Sequence, residues 1–400
     1  MTKQAASGPL AGVRILDLTA VVLGPLATQI LGDYGADIIK VEPLAGDLMR
    51  ANGVSRHAGM SSVFLSLNRN KRSLAIDLKS ARGTAVLNKL IKKTDVLVHN
   101  MRVPAMERLG LGYQAVAAIK PDIVYCVATG YGQDGPDADK PAFDDIIQAA
   151  CGLVSLNSLG RDVPDYVPSL IADKTTGMVL VNAVLAALFC RERTGQGQYV
   201  EVPMLETMVA FVMAEHLGGQ TFEPAQGPAG YQRLLGGGRK PAPTRDGYIA
   251  LLPYTAEHWR AFFSAAGRAD LADKYGNCDR EARNAQVADM YRDMAAATPA
   301  RSSAEWLSLC AELDIPATEV YGIDELTAHP HLRAVQLFDV AQHASEGAVR
   351  QVRPPVKFSA TPASVRSDAP RLGEHTEQVL REAGLNSDEI AELRALHVIA

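Results

Sequence analysis

Cysteine is scarce in this chain. The five present, Cys126, Cys151, Cys190, Cys278 and Cys310, are scattered, odd in number and without a Cys-x-x-Cys pair. Neither a disulfide framework nor a zinc site is expected from them, and a reducing, cytoplasmic setting fits. A basic surplus is also lacking. The formal net charge is −5, which argues against a nucleic-acid partner while leaving room for a local basic cleft. From Met1 to Pro9 there is no apolar leader, so no signal peptide is expected. The most apolar stretch, Met178 to Phe189, runs for about a dozen residues, short of the roughly 20 that a spanning helix needs. It is read as a buried core helix, with no membrane partner.

Several site motifs are missing. The turn after the first apolar run, Asp17 to Pro25, holds only Gly24, whereas a dinucleotide fingerprint needs three spaced glycines so that pyrophosphate can approach the backbone. Gly236-Gly237-Gly238-Arg239-Lys240 lacks the spacing and the hydroxyl of a P-loop. No GxSxG elbow occurs. His329 and His331 flank a proline without carboxylates at ligand spacing, so no metal site is expected.

What is present is a globular composition, 47% apolar and 21% charged. At 400 residues the chain exceeds one ordinary core. Apolar runs at Val13–Leu18, Asp37–Val41, Leu74–Leu78, Val96–Val98 and Ile123–Ala128 predict strands. Between them, Pro25–Tyr34 and Ser80–Thr94 predict helices, opened by Pro25 and capped by Ser80 respectively. The alternation predicts an α/β fold with a parallel sheet covered on both faces. Helices at Asp144–Gly152 and Thr176–Arg191 and a strand at Gln198–Pro203 follow. A Gly/Pro-rich shift from Gly218 to Gly238 suggests a boundary. The expected division is a discontinuous large domain, 1–217 with 335–400, and a linker with a smaller α+β domain over 218–334. Pro362 to Pro370 reads as a linker, and helices over Thr376–Gly384 and Ser387–Leu396 close the chain.

Asp173 stands out in Ile171-Ala172-Asp173-Lys174-Thr175-Thr176-Gly177. Before a helix at Thr176, it reads as an N-cap whose carboxylate the helix start keeps ionised. An ionised, fixed carboxylate also suits covalent acyl chemistry. Position alone leaves both readings open.

Blocks spread along the chain bear on that choice. They are Leu10–Thr19, Gly35–Pro43, Asn68–Ser73, Gly130–Pro136, Gln148–Gly152, Arg193–Gln198 and Leu372–Thr376. In this order they resemble the class III CoA transferases, the family that includes formyl-CoA transferase, carnitine CoA-transferase and the α-methylacyl-CoA racemases. The resemblance implies a Rossmann-like large domain, an interlocked homodimer and Asp173 as nucleophile. It also implies a coenzyme A thioester as substrate, not a permanently bound cofactor, with a carboxylic acid as the second substrate. The CoA contacts it implies fall on Val22 and Leu23, on Ile76, Asp77, Leu78 and Lys79, on Asn100, Met101, Arg102 and Arg108, and on Ala142, Phe143 and Asp144. Lys79, Arg102 and Arg108 have the charge to meet phosphates. Gly236, Gly237 and Gly238 are the candidate oxyanion loop, with a plain linker as the alternative. Arg233, Arg239 and Arg245 nearby hint at a dicarboxylic acid.

Two departures from the family pattern stand out. Racemases place a histidine where Phe143 stands, and phenylalanine exchanges no proton; transfer is thereby favoured over racemisation. Some transferases carry a glutamine near Val22, and its absence here removes one polar contact. A racemase and a non-catalytic CoA-binding protein are the alternatives.

Overall fold

The computed structural model describes residues 7–159, 162–236 and 238–400. In chain order the first half runs β1 (Arg14–Leu18), α1 (Leu23–Asp33), β2 (Asp37–Glu42), α2 (Ser62–Leu67), β3 (Lys71–Ala75), α3 (Ala81–Ile91), β4 (Val96–His99), α4 (Val103–Arg108), α5 (Tyr113–Ile119) and β5 (Val124–Thr129). Next come α6 (Asp144–Ala150), α7 (Leu153–Asn157), α8 (Ile171–Thr194), β6 (Gln198–Pro203) and α9 (Met204–His216). Six strands form one parallel sheet in the order β3-β2-β1-β4-β5-β6. Strand order therefore reverses between β1 and β4, the switch point at which open α/β sheets bind ligands.

Both faces of the sheet are covered, as the uninterrupted burial of β4 and β5 requires. On one face Leu16, Ile39, Leu74 and Leu97 pack with α3, α5 and the two C-terminal helices. On the other face lie α1 and α8, which pack on each other, with α8 also against β5 and β6. Glycine permits that closeness at one point. A Cβ on Gly177 of α8 would stand 2.6 Å from the carbonyl oxygen of Leu23, so the second turn of α8 meets the first of α1 only without one.

Two compact units divide the chain. One holds Met1–Val154, Tyr166–Phe211 and Ala334–Ala400; the other holds Ser155–Asp165 and Val212–Arg333. In the second unit, α10 (Gln232–Leu235), β7 (Ala242–Pro243) and β8 (Tyr248–Leu251) precede α11 (Ala256–Ala265), α12 (Ala269–Gly276), α13 (Arg280–Ala285), α14 (Val287–Ala297), α15 (Ser303–Glu312) and β9 (Ala317–Glu319). The three short strands are antiparallel, and Trp259, Phe262, Phe263 and Trp306 fill the core beneath them. The second unit ends within α16 (Pro330–Ala334), and the first resumes with the hairpin β10 (Phe338–His343) and β11 (Gly347–Val352), α17 (Thr376–Glu382) and α18 (Ser387–Ala395).

Four expectations need correction. The third strand is Lys71–Ala75, not Leu74–Leu78; its first half looked loop-like because Lys71 and Ser73 point into a buried ionic network instead of an apolar core. Helix α1 begins at Leu23, two residues before Pro25. Helix α8 begins at Ile171 and runs for 24 residues, twice the apolar run. By length and composition it could cross a membrane, but one face is buried against α1 and the sheet. Finally, the stretch from Pro362 to Pro370 is pinned rather than a free linker: Arg366 donates to the carbonyl of Gly32 in the last turn of α1 and to those of Gly35 and Ala36 just beyond it.

Candidate active site

A cavity of about 310 Å³ opens beyond the ends of β1, β4 and β5, at the switch point. Its walls include Ala20, Val21 and Leu23 after β1, Asn100 to Val103 after β4, and Ala128 to Gly130 at the end of β5. Lys140 to Phe143 before α6 and Asp173 of α8 complete much of the rest. Larger hollows of about 660 and 580 Å³ lie around the β10–β11 hairpin. Neither includes Asp173, and chemistry selects a site better than size does.

Asp173 is the third residue of α8 and 8% exposed. It is not the N-cap; Leu170 holds that position and makes no side-chain cap. The Asp173 N–H donates to Oδ1 of Asp144 at 2.8 Å, so a carboxylate from α6 caps the start of α8. Gln148 Nε2 donates to Asp144 Oδ2 at 2.6 Å and to the carbonyl of Ser169, while its Oε1 accepts from the N–H of Val167. This clamp fixes both the chain entering α8 and the carboxylate facing it.

The arrangement reverses the expected ionisation. Burial pushes the Asp173 carboxyl up to about 7, and the negative charges of Asp144 and Asp145 push in the same direction. The pull of a helix start falls off within a turn and is weak against desolvation by several neighbours. Among the described residues, no Lys, Arg or His forms an ion pair with Asp173. The cavity's positive groups, Arg102 and Lys140, line it without pairing to Asp173, and Lys140 binds Asp137 at 2.7 Å.

The loop between β1 and α1 forms one wall under strain. Val21 has φ +72°, a real outlier for a β-branched residue. Asn100 brackets Ala20, accepting from its N–H at 2.9 Å and donating to its carbonyl at 2.8 Å. The Val21 N–H donates to Asp47 at 3.2 Å. Asp47 in turn pairs with fully buried Lys40 at 2.8 Å, and Lys40 donates to the carbonyl of Thr19. Beneath lie Asp17 with Lys71 at 3.1 Å and Glu42 with Arg50 at 2.7 Å. Burial alone would raise the Asp17 carboxyl, but Lys71 and Lys40 hold it below its ordinary range. Burial brings the Lys71 ammonium down to about 8 against the pull of Asp17. The blocks Gly35–Pro43 and Asn68–Ser73 supply Lys40, Glu42 and Lys71, half of the charged groups of this network, so part of their sequence serves the frame of the loop.

Leu23, Asn100, Met101, Arg102, Ala142, Phe143 and Asp173 all line the cavity. Val22 is buried at the start of α1, and Asp144 is buried behind Asp173. Ile76, Asp77, Leu78, Lys79 and Arg108 do not line it. Ile76 belongs to the apolar core, the N–H of Asp77 donates to Val398, and Lys79 and Arg108 are exposed. Gly236 follows α10, and Gly238 packs against Ala288 and Tyr291 of α14 in the second unit. Gly237 lies outside the described residues. Arg245 is occupied by Glu305 at 2.9 Å, and Arg233 lies over the ring of Tyr254. Among the described residues no His/Cys/Asp/Glu group could hold a metal ion.

Sequence reasoning passed over Ala20, Val21, Thr129, Lys140 and Asp145. Asp145 follows Asp144 directly, and that acidic pair was the one available signal; the others are ordinary residues made notable by where the sheet ends.

The sequence profile of CoA-transferase family III matches residues 10–376. The chain is 33% identical to the succinyl-CoA–L-malate CoA-transferase beta subunit of Chloroflexus aurantiacus, covering 98% of each. It is 31% identical to the succinate–glutarate CoA-transferase of Agrobacterium fabrum, over 94% of this chain and 95% of that one. Among solved structures, Rv3272 from Mycobacterium tuberculosis superposes with a TM-score of 0.80 at 28% identity, covering 93% of this chain and 99% of its own.

Proposed function

The chain belongs to CoA-transferase family III and is an enzyme that transfers CoA, and from that premise we propose that Asp173 is its nucleophile. The observation that carries this reading is a buried carboxylate in the switch-point cavity that has no cation partner among the described residues. Structural carboxylates at such depth are normally paired. One that is not, in a cleft, marks a functional site.

In the proposed reaction the ionised Asp173 attacks the donor thioester carbonyl, forming a mixed anhydride and expelling CoA thiolate. The thiolate adds to the Asp173 carbonyl and releases the donor acid, leaving an aspartyl-CoA thioester. The acceptor carboxylate attacks that thioester, expelling CoA thiolate and forming a second anhydride; the thiolate then attacks the acceptor's carbonyl, giving the new acyl-CoA and free Asp173 carboxylate. Attack requires the proton to leave first, so kcat/KM for acyl-CoA rises with pH through about 7. Anhydrides and thioesters hydrolyse, and the cavity must exclude water while they exist.

Transfer is favoured over racemisation because Phe143 stands in the cavity wall where a proton-exchanging group is needed. A dicarboxylic acid is the proposed acceptor, on the support of relatives named for malate and glutarate. The proposed assembly is a cytoplasmic, interlocked homodimer. Exposed Met178 and Phe189 on α8 and Phe211 on α9 supply apolar surface for a second copy.

The test is a mass spectrum of the enzyme after incubation with succinyl-CoA and no acceptor. A CoA adduct on the peptide bearing Asp173 is expected, absent from Asp173→Ala, whose turnover falls by about a thousandfold or more. An adduct elsewhere, or turnover above about a tenth of wild type in Asp173→Ala, sinks the assignment.

A further inference from the structure

Thr129 is the last residue of β5, held in the parallel ladder opposite Pro203 of β6. It is 8% exposed, and its hydroxyl has no hydrogen-bond partner among the described residues. A buried hydroxyl left unpaired costs about 1–3 kcal/mol, and at a buried strand end valine would fill the same volume without that cost. Thr129 also lines the cavity that holds Asp173. Thr176 has an unpartnered hydroxyl as well, but it is wholly buried and lines no part of that cavity.

Thr129 shares its cavity with a cation and a buried carboxyl group. β5 neighbours β4, whose end leads into Asn100–Val103 and hence to Arg102. α8, which carries Asp173, packs against β5. The end of β5 therefore lines the same cavity as the cationic Arg102 and as Asp173. A CoA thioester has the matching polarity: phosphates at one end, the reacting carbonyl at the other, and between them a pantetheine arm with two secondary amides. An amide passing a buried site needs a partner for its N–H or its C=O, and a threonine hydroxyl can accept from the first or donate to the second.

We propose that Thr129 is the side-chain hydrogen-bond partner of a pantetheine amide, fixing the arm so that the thioester carbonyl meets Asp173. The proposal rests on the reading of this cavity as the CoA-thioester site. Its position is rigid, because the ladder fixes the backbone of Thr129 and Gly130 behind it leaves no room for another side chain: a Cβ there would stand 2.4 Å from that of Ala142.

The experiment is calorimetric titration of wild type, Thr129→Val and Thr129→Ser with two probes. One is coenzyme A; the other is adenosine 3′-phosphate 5′-diphosphate, which carries the nucleotide head without the arm. Thr129→Val should raise the Kd for coenzyme A about five- to thirtyfold, the range of one buried hydrogen bond. The Kd for the head alone should stay unchanged, and Thr129→Ser should restore binding of the whole molecule. Equal weakening of both probes, no weakening of either, or a fall in kcat at unchanged Kd overturns the role. If Thr129→Val does not fold, Thr129→Ala carries the same expectation. Binding of coenzyme A does not need the nucleophile. Failure of the adduct test on Asp173 therefore removes the mechanism and leaves this measurement able to judge Thr129 by itself.

Discussion

Two sets of buried charge in the first unit are built on opposite rules. Beneath the β1–α1 loop, Asp17 and Lys71, Lys40 and Asp47, and Glu42 and Arg50 alternate in sign, and each charge touches an opposite one. At the mouth of the same sheet, buried Asp173 faces Asp144, with Asp145 next to it, and among the described residues no cation pairs with Asp173. The first set holds its carboxylates ionised: Asp17 and Glu42 lie below their ordinary range despite burial. The second pushes a carboxyl up to about 7. Balanced charge makes a frame. Unbalanced charge stores a group whose environment improves when a ligand or a covalent bond removes its charge.

The largest effect that would break this comparison is expected in the frame. Lys71→Met leaves Asp17 buried without its nearest cation and should cost about 3–5 kcal/mol in urea unfolding. The combined Lys71→Met/Asp17→Asn variant should recover part of that loss, because no uncompensated charge then remains. A loss below about 1 kcal/mol in the single variant would show that the network does not hold the frame.

Asp173→Asn should act in the opposite direction. Its folded pKa, about 7, lies above the ordinary aspartate value of 3.8. Between those values the native state keeps a proton that the unfolded chain has lost, so stability falls as pH rises through the window. Asparagine has no such proton. The variant should match wild type near pH 4 and exceed it by on the order of a few kcal/mol above pH 8, while losing transfer. Equal stability of the two proteins across thermal melts from pH 4 to 8 would mean that Asp173 is not held in unfavourable surroundings.

The smallest effect sharpens the boundary between the regions. Arg102 lines the cavity but belongs to neither set. Arg102→Ala should raise the Kd for coenzyme A a few-fold to tenfold at low salt, by about 1 kcal/mol, and the gap to wild type should narrow as salt rises. A gap that does not change with salt would assign Arg102 a packing role.

Much of the frame was legible because its signals are local. Apolar runs marked β1, β2, β4 and β5, and the block pattern led to the family. β3 was shifted because Lys71 and Ser73 carry polar side chains into a core that is itself ionic. The β10–β11 hairpin escaped notice because its strands are largely exposed and show little apolar alternation. In the site, Asp173 stood out by its place before an apolar helix. Thr129, Val21 and Lys140 did not, since nothing in their own neighbourhoods distinguishes them.

The sequence by itself determined five of the six strands of the large sheet and singled out Asp173, because backbone pattern and side-chain polarity are properties of neighbours along the chain. Only the tertiary structure decided which charges are answered. Asp17 meets Lys71 across 54 positions, and Asp144 meets the N–H of Asp173 across 29. Desolvation is set by whatever the fold brings around a group, and so the protonation of Asp173 was settled in space, not along the chain.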